Sequence, residues 1–405
     1  MTSRAENELL TRVGPGTPMG ALMREYWLPA CLSSELAADG DPVRVMLLGE
    51  KLIAFRDSAG KIGILDHRCA SLFFGRNEEG GLSCVYHGWK FDTAGNCLAM
   101  PNLPADQDFR QKVKAKAYRV AERSGVVYVY MGERKNLPPL PAFEAMLTPP
   151  DETDIYCRQR ECNWLQALEG GFDATHLTFL HGGDAEPSRR IVATLYEVIP
   201  TDFGFVVGTG RDPGNGSIMW NMNVMLMPFH KIISSLPHAA HVWAPIDDEN
   251  TMLYSVDFHP SRPLTEEDTA RSKVGLGIHT ENIPGTDHAV RNRANDYLID
   301  RALQASGKSY TGMAGFGTQD CAIQESMGPV ADRTAEHLLA CDAAIVKIRR
   351  LLLQTLKDHA DGKLLPGMNP ASYRVRSGRF EAPKGVPFVE AMENYVRRDA
   401  PVAAE

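Results

Sequence analysis

Between Val43 and Met131 the chain is cut into short β-forming runs, VRVMLLGEKLIAF, KIGIL and SGVVYVYMG among them, separated by Gly, Asp and Asn turn residues. Asn136–Pro141 then places three prolines in six residues. Beyond this linker the pattern changes. Cys162–Leu180 reads as helical, residues 192–260 read as strands, and Thr334–His359 carries an amphipathic helical stripe. A small antiparallel β domain followed by a larger strand-and-helix domain is an α+β chain. The expected division is residues 1–42 as an N-terminal segment packing on the second domain, 43–135 as the β domain, and 136–405 as the larger domain.

The net charge of −8 gives no basic face for nucleic acid. No apolar run is long enough to span a bilayer, and Met1–Leu10 lacks the apolar core of a secretory signal. Eight cysteines scattered over 405 residues argue for thiols in a reducing cytoplasm rather than a disulfide framework. No nucleic-acid or membrane partner is expected, and a cytoplasmic location is.

Two segments carry donor side chains. In the first, Cys84-Val-Tyr-His87 is followed by Gly-Trp-Lys-Phe-Asp, and His67 lies upstream beyond Gly75, Gly80 and Gly81. A C-x2-H pair alone equally fits zinc, or a core cysteine beside a surface histidine. In the second, Glu169, Asp173 and His176 fall at i, i+4 and i+7, on one face of a helix. His181 follows at i+5, so the helix must bend or end there, which Gly182-Gly183 permits. Two unrelated surface histidines are the plainer alternative.

The segment HRCASLFFGRNEEGGLSCVYHGWKFD and the N-terminal VGPGTPMGALMREYW resemble the Rieske non-haem iron aromatic-ring oxygenases of the phthalate dioxygenase-like group. The resemblance runs over nearly the whole chain. It implies an N-terminal antiparallel β Rieske domain and a C-terminal helix-grip (START-like) catalytic domain. A Rieske [2Fe–2S] cluster takes two cysteines and two histidines, and the resemblance places its ligands among His67, Cys69, Cys84 and His87. The family's first pair is Cys-x-His, within a run that contains His-Arg-Cys twice. Here Asp66-His67-Arg68-Cys69-Ala70-Ser71 carries it once, so Leu65 stands where His67 would need a cysteine and Ser71 where Cys69 would need a histidine. Three readings are open: a short deletion between direct repeats, ligation by His67 and Cys69 in reversed order, or a variant without a cluster. The intact downstream motif favours the first.

The resemblance also implies a mononuclear Fe(II) held by His176, His181 and a carboxylate from a late helix, matching Asp342 in LACDAAIVKIRRLLL, with Asp173 as a carboxylate bridging toward the Rieske histidine of a neighbouring subunit. Two histidines and one carboxylate on one face suit such an iron. On a helix, Asp342 has Leu338, Leu339, Ile345 and Val346 as neighbours, which predicts an inward-facing carboxylate. The alternative is a buried ion pair with Arg349 or Arg350.

Residues 218–227 read IMWNMNVMLM. Strand alternation puts Met219, Asn221, Asn223, Met225 and Met227 on one face, and Asn221, Asn223, Met225 and Met227 are the expected pocket residues. Relatives acting on aromatic carboxylates are expected to place an Arg here to grip the acid. Asn221 and Asn223 stand there instead, which points to a bulky neutral aromatic substrate, hydroxylated, cis-dihydroxylated or dealkylated at nitrogen or oxygen. The runner-up is an aromatic-carboxylate dioxygenase using Lys231 or another cation. A non-catalytic zinc- or ligand-binding homologue is the alternative of another class. The resemblance further implies O2 as co-substrate, electrons from NAD(P)H through a separate reductase or ferredoxin component, and a homotrimer or stacked trimers. No Rossmann or flavin motif is found in the chain itself.

Overall fold

The computed structural model describes residues 2–67, 72–181, 193–235 and 237–396. The chain forms two compact units, one of residues 13–140 and one of residues 1–12 with 141–405. Only the first twelve residues therefore lie with the larger unit, where the sequence suggested forty-two. They contain helix α1 (Arg4–Thr11), started by a capping box between Ser3 and Glu6. Helix α2 (Pro18–Met23) and strand β1 (Trp27–Leu32) go with the smaller unit. The reason is pairing: β1 bonds antiparallel to a strand at the far end of that unit.

The smaller unit continues with β2 (Val43–Leu47), β3 (Glu50–Arg56), β4 (Ile62–Asp66), β5 (Arg76–Glu78), β6 (Gly81–Ser83), β7 (Lys90–Phe91), β8 (Cys97–Ala99), β9 (Arg119–Arg123) and β10 (Val126–Tyr130). They make three small antiparallel sheets in the orders β1-β10-β9, β2-β3-β4 and β5-β6-β7-β8. Ile53, Phe55, Leu65, Leu82, Cys84 and Phe91 share one core cluster. Leu65 is wholly buried in it, so that position on β4 supplies packing and no ligand.

In the larger unit, β11 (Asp154–Arg160) leads to α3 (Trp164–Phe172) and the short α4 (His176–Phe179). Then come β12 (Leu195–Pro200), β13 (Gly204–Arg211), β14 (Ser217–Leu226), β15 (His230–Ile232), β16 (His238–Pro245) and β17 (Thr251–Asp257). Helices α5 (Glu266–Lys273), α6 (Arg301–Ala305), α7 (Phe316–Ser326) and α8 (Ala343–Ala360) follow, and β18 (Gly378–Pro383) and α9 (Phe388–Val396) complete the described part. One eight-stranded antiparallel sheet runs β11-β17-β16-β15-β14-β13-β12, with β18 as the eighth strand beside β14. Strand β14 pairs along one edge with β13; β15 meets it at Val224–Leu226 and β18 at Ser217–Met222.

The sheet has one face under α9, where Phe388 packs on Trp220 with ring centroids 4.6 Å apart. The other face lies under α3, where Phe172 packs on Phe205 at 5.7 Å. A Cβ on Gly171 would come within 2.4 Å of the Trp243 ring. Glycine there lets the C-terminal end of α3 lie directly on the sheet, which carries the next residues over its face. Among the described residues no helix is long and apolar enough to cross a membrane, and no cysteine is in a disulfide.

Two expectations shorten. The helix expected over Cys162–Leu180 is two pieces, because Asp173 ends α3 with extended backbone. The helix expected from Thr334 begins only at Ala343.

Candidate active site

The break between α3 and α4 builds the site. Asn163 caps α3 by accepting from Leu165 N. At the other end, Asp173 takes the backbone N–H and hydroxyl of Thr175 on Oδ1, both at 2.7 Å. This side-chain turn sets His176 at the start of α4. The Nδ1–H of His176 donates to Asp173 Oδ2 at 3.1 Å. One helical turn further on, His181 is buried, and its Nδ1–H donates to Gln319 Oε1 at 2.6 Å. The Gln319 amide is held the right way round, because its Nε2 donates to Thr311 Oγ1 and Met313 O.

Once each ring is neutral with its proton on Nδ1, both Nε2 lone pairs are available to a metal. Both face Asp320 Oδ1, at 3.7 Å from His176 and 3.0 Å from His181. The three donors lie within 4.8 Å of one another. Two imidazoles and one carboxylate, with other directions open, match a mononuclear non-haem iron site, and the residues present fit that metal. Each imidazole is oriented by a partner behind it, as metal-binding histidines usually are.

The charges agree. Burial pushes the Asp320 carboxyl up, but His181, His176 and Arg160 together hold it well below the usual range. Burial also acts on Asp173, and the bond and charge of His176 with the Thr175 contacts bring it down to about 2. Both acids are carboxylates at neutral pH.

The structure thus brings His176, His181 and Asp173 together and sets Asp320, rather than Asp342, beside the two imidazoles. Asp342 is not in the three-donor group. It precedes α8, and its Oδ2 accepts from Leu339 N at 2.7 Å. The inward stripe fails because Leu338 and Leu339 precede the helix, and Leu339 is 70% exposed. Asp342 lines a side cavity of about 240 Å³ shared with Asp173, His176 and Asp320. The expected partner Arg349 pairs instead with Glu169 and Glu336. Asp320 and Gln319 were missed. Their signal is that α7 has no apolar stripe: its buried residues include Thr318, Gln319, Gln324 and Glu325. A helix that buries polar groups is building something other than a core.

On the sheet face opposite the histidines, a cavity of about 110 Å³ is lined by Asn221, Asn223, Thr209, Lys231, His241 and Trp243 among others. Two expected pocket residues do not reach it. Met225 follows the predicted alternation but is fully buried beside Phe205, its ladder partner, where α3 covers the sheet. Met227 lies past the end of β14 and is also buried. Lys231 is the cavity's lysine. Its Nζ donates to Gly171 O at the end of α3 and lies 5.3 Å from the Phe172 ring centre.

In the smaller unit, the Cys84–Gly88 turn is closed by Gly88 N donating to Cys84 O at 2.9 Å and Cys84 N donating to Trp89 O at 2.7 Å. It buries Cys84 and exposes His87, whose ring lies 3.9 Å from that of Tyr86. One thiol and one imidazole on a tight turn fit half of a Rieske ligand set. His67 follows β4, with its N donating to Lys51 O at 3.0 Å. Cys69 lies outside the described residues.

Fold and site together define an oxygenase with an N-terminal iron–sulfur domain and a non-haem iron catalytic domain. Residues 26–120 match the Rieske [2Fe-2S] domain and residues 129–386 the LigXa C-terminal domain-like family, and the chain belongs to the Rieske non-haem iron oxygenase α subunits. It is 40% identical to the 3-chlorobenzoate-3,4-dioxygenase oxygenase subunit of Comamonas testosteroni, over 98% of this chain and 99% of that protein. It is 34% identical to the phthalate 4,5-dioxygenase oxygenase subunit of Pseudomonas putida, over 100% and 98%. The fold is shared with the solved structure of the NdmA QL mutant of Pseudomonas putida CBB5 with theobromine, at TM-score 0.60 and 18% identity over 87% of this chain and 95% of that one. Oxygenase subunits of this family use a Rieske cluster, mononuclear iron and electrons from a separate reductase.

Proposed function

We propose that this terminal oxygenase acts on an aromatic carboxylate, that Lys231 holds the acid group, and that His176, His181 and Asp320 hold the iron. The observation that carries the substrate is a lysine ammonium in the wall of the cavity that the two histidines face. A lysine in the wall of a small ligand cavity can hold an anionic group; the other charged side chains of that wall, Arg160, Asp173 and Asp320, bond Gln324, His176 and His181 respectively. The sequence reading expected an Arg near β14, where Asn221 and Asn223 stand, and named Lys231 as the cation of its alternative. It enters one strand over, since Lys231 pairs with Met225 in the β14–β15 ladder. Both compared relatives are named for aromatic acids, which agrees with this choice over a neutral substrate.

Iron bound by the three donors supplies the O2 chemistry. The chain's own residues do the rest. Asp173 and Gln319 keep the imidazole protons on Nδ1, Lys231 fixes one end of the substrate, and Asn221 and Asn223 offer amides along the β14 wall. A homotrimer or stacked trimers in the cytoplasm, with Asp173 bridging to a neighbour, is the assembly this reading carries.

The test is substrate binding, measured calorimetrically, so that no electron supply is needed. Benzoates should bind the protein, and Lys231→Met should weaken them at least tenfold while leaving neutral benzamides unchanged; Lys231→Arg should retain most of the affinity. Tighter binding of the neutral analogues by the unmodified chain would return the assignment to a neutral substrate.

A further inference from the structure

We propose that the substrate reaches the iron through a second, larger cavity on the α9 side of the sheet, and that the strap Ile233–Ser235 between the two cavities is the gate. The outer cavity holds about 390 Å³, against about 110 Å³ for the one that the histidines face. Sites for small organic ligands usually measure about 300–1,000 Å³, so the outer space is the one with room for a whole substrate. Ile233, Ser234 and Ser235 border both cavities.

The two spaces meet where the sheet parts. Along one edge of β14, β15 pairs with Val224–Leu226 and β18 with Ser217–Met222. Asn223 falls between these two ladders, and the chain leaves β15 beside it. Asn221 and Asn223 line the inner cavity. Gly378 pairs with Met222, which strand alternation turns to the opposite face. A Cβ on Gly378 would meet only Tyr395 Cδ1 of α9 within 4 Å, at 3.9 Å. Both residues line the outer cavity.

Hydrogen bonds to side chains hold the strap across this seam. Ser234 N donates to Asn223 Oδ1 at 3.2 Å, and Ser377 Oγ donates to Ile233 O. One bond reaches to the inner wall and the other to the outer. Losing a single bond of this kind changes an equilibrium by about fivefold, so the strap opens more readily than a paired strand would part.

The outer wall also suits an aromatic anion. Phe143, Phe258 and Val375 give it apolar surface. Among its described lining residues, Arg376 and Arg379 stand against one carboxylate, that of Glu144, with which Arg376 pairs. An apolar chamber with a positive balance raises the local concentration of an aromatic acid. This last point rests on the aromatic-acid reading above, whereas the route itself does not.

Stopped-flow tryptophan fluorescence on the full chain, with Trp243 in the inner wall as a reporter, measures entry. Benzoate and neutral benzamide are the probes. Gly378→Phe fills the outer cavity and should lower kon and koff together, each at least fivefold, with Kd constant within twofold. Gly378→Ala should alter neither rate. Ser377→Ala unlatches the strap and should raise both rates about fivefold, again at constant Kd. A gate acts equally on entry and exit, whereas damage to the binding site shifts Kd. Added salt should slow benzoate and leave benzamide alone. Unchanged kon in Gly378→Phe would overturn the route, and so would a rise in Kd that accounts for the whole effect. Benzamide that follows the rate pattern while benzoate does not bind would keep the route and remove the aromatic acid.

Discussion

His181 gives its Nδ1 proton to Gln319 across 2.6 Å, and this bond determines which ring nitrogen is left for a metal. Gln319→Ala removes the acceptor and leaves the buried ring free to flip tautomer or rotate. Loss of such an orienting contact typically costs 10- to 100-fold in metal affinity. Competition titration with Co2+ should show that loss at the His176 site. Gln319→Glu should recover much of it, since a carboxylate can take the same proton. Unchanged affinity in Gln319→Ala would show that the ring is held by packing alone.

Asp320 and Asp342 make opposite forecasts. Asp320→Asn should remove the mononuclear iron and abolish turnover. Asp342→Asn should retain the iron, because Asp342 lies outside the three-donor group and its bond from the Leu339 N–H is one an amide oxygen can still accept. Metal analysis of the two purified variants decides between them, and iron loss confined to Asp342→Asn would reinstate the acid expected from sequence.

Glu169 is buried between two guanidinium groups. Arg333 reaches it through Nε and Nη2, the latter at 2.9 Å, and Arg349 through Nε at 2.6 Å and Nη2 at 3.1 Å. Glu169→Ala leaves both cations without that carboxylate, which should destabilise the catalytic unit by about 3–5 kcal/mol. Denaturant unfolding checks this. A loss under about 1 kcal/mol would mean that Glu336 and the Asn7 side chain, which bond Arg349 and Arg333 respectively, compensate.

His230 should give the protein a pH slope unrelated to its metals. The ring lies between Phe143 and Phe229, and among the described residues neither nitrogen has a hydrogen-bond partner. Burial alone brings it down to about 3 from the ordinary 6.5. Between those values the unfolded chain takes a proton that the folded chain refuses. Stability should therefore fall as pH drops below 6.5, by about 1.4 kcal/mol per unit from this residue. It should not vary from this cause above 6.5. His230→Leu should lessen the slope and raise Tm at pH 5; an unaltered slope would place its origin elsewhere.

The chain as it stands should assemble its [2Fe–2S] cluster poorly. Cys84 and His87 share one turn, while the upstream sequence offers His67 and Cys69 in reversed order, so that only one of them fits the pattern. Inserting Pro-His-Arg-Cys after Cys69 should restore a Cys-x-His pair, and with it the Rieske visible and EPR spectra. A full-strength signal from the 405-residue chain would show that reversed ligation works.

The two-domain α+β plan was legible because proline punctuation and short β runs are local signals. His176, His181 and Asp173 were legible too, since they crowd into nine residues of sequence. Asp320 was not, because it reaches the histidines through the packing of α7, 139 residues from His181, and no periodicity encodes that approach. The stripe around Asp342 misled because apolar spacing was read through the point where the helix starts. Met225 misled differently: its face was right, but what covers that face is the helix held close by Gly171, a tertiary fact.

Strand β14 is backed on one edge by two strands laid end to end. Asn221 pairs with Arg379 of β18 in the ladder, whereas Lys231 sits on β15. The lysine and this part of the amide wall therefore hang from separate hinges. A change of residue or tilt in β15 can re-aim the cation without disturbing the register between Asn221 and Arg379, so the acid recognition proposed for Lys231 can drift toward new ring sizes and substitution patterns while that wall stays as it was.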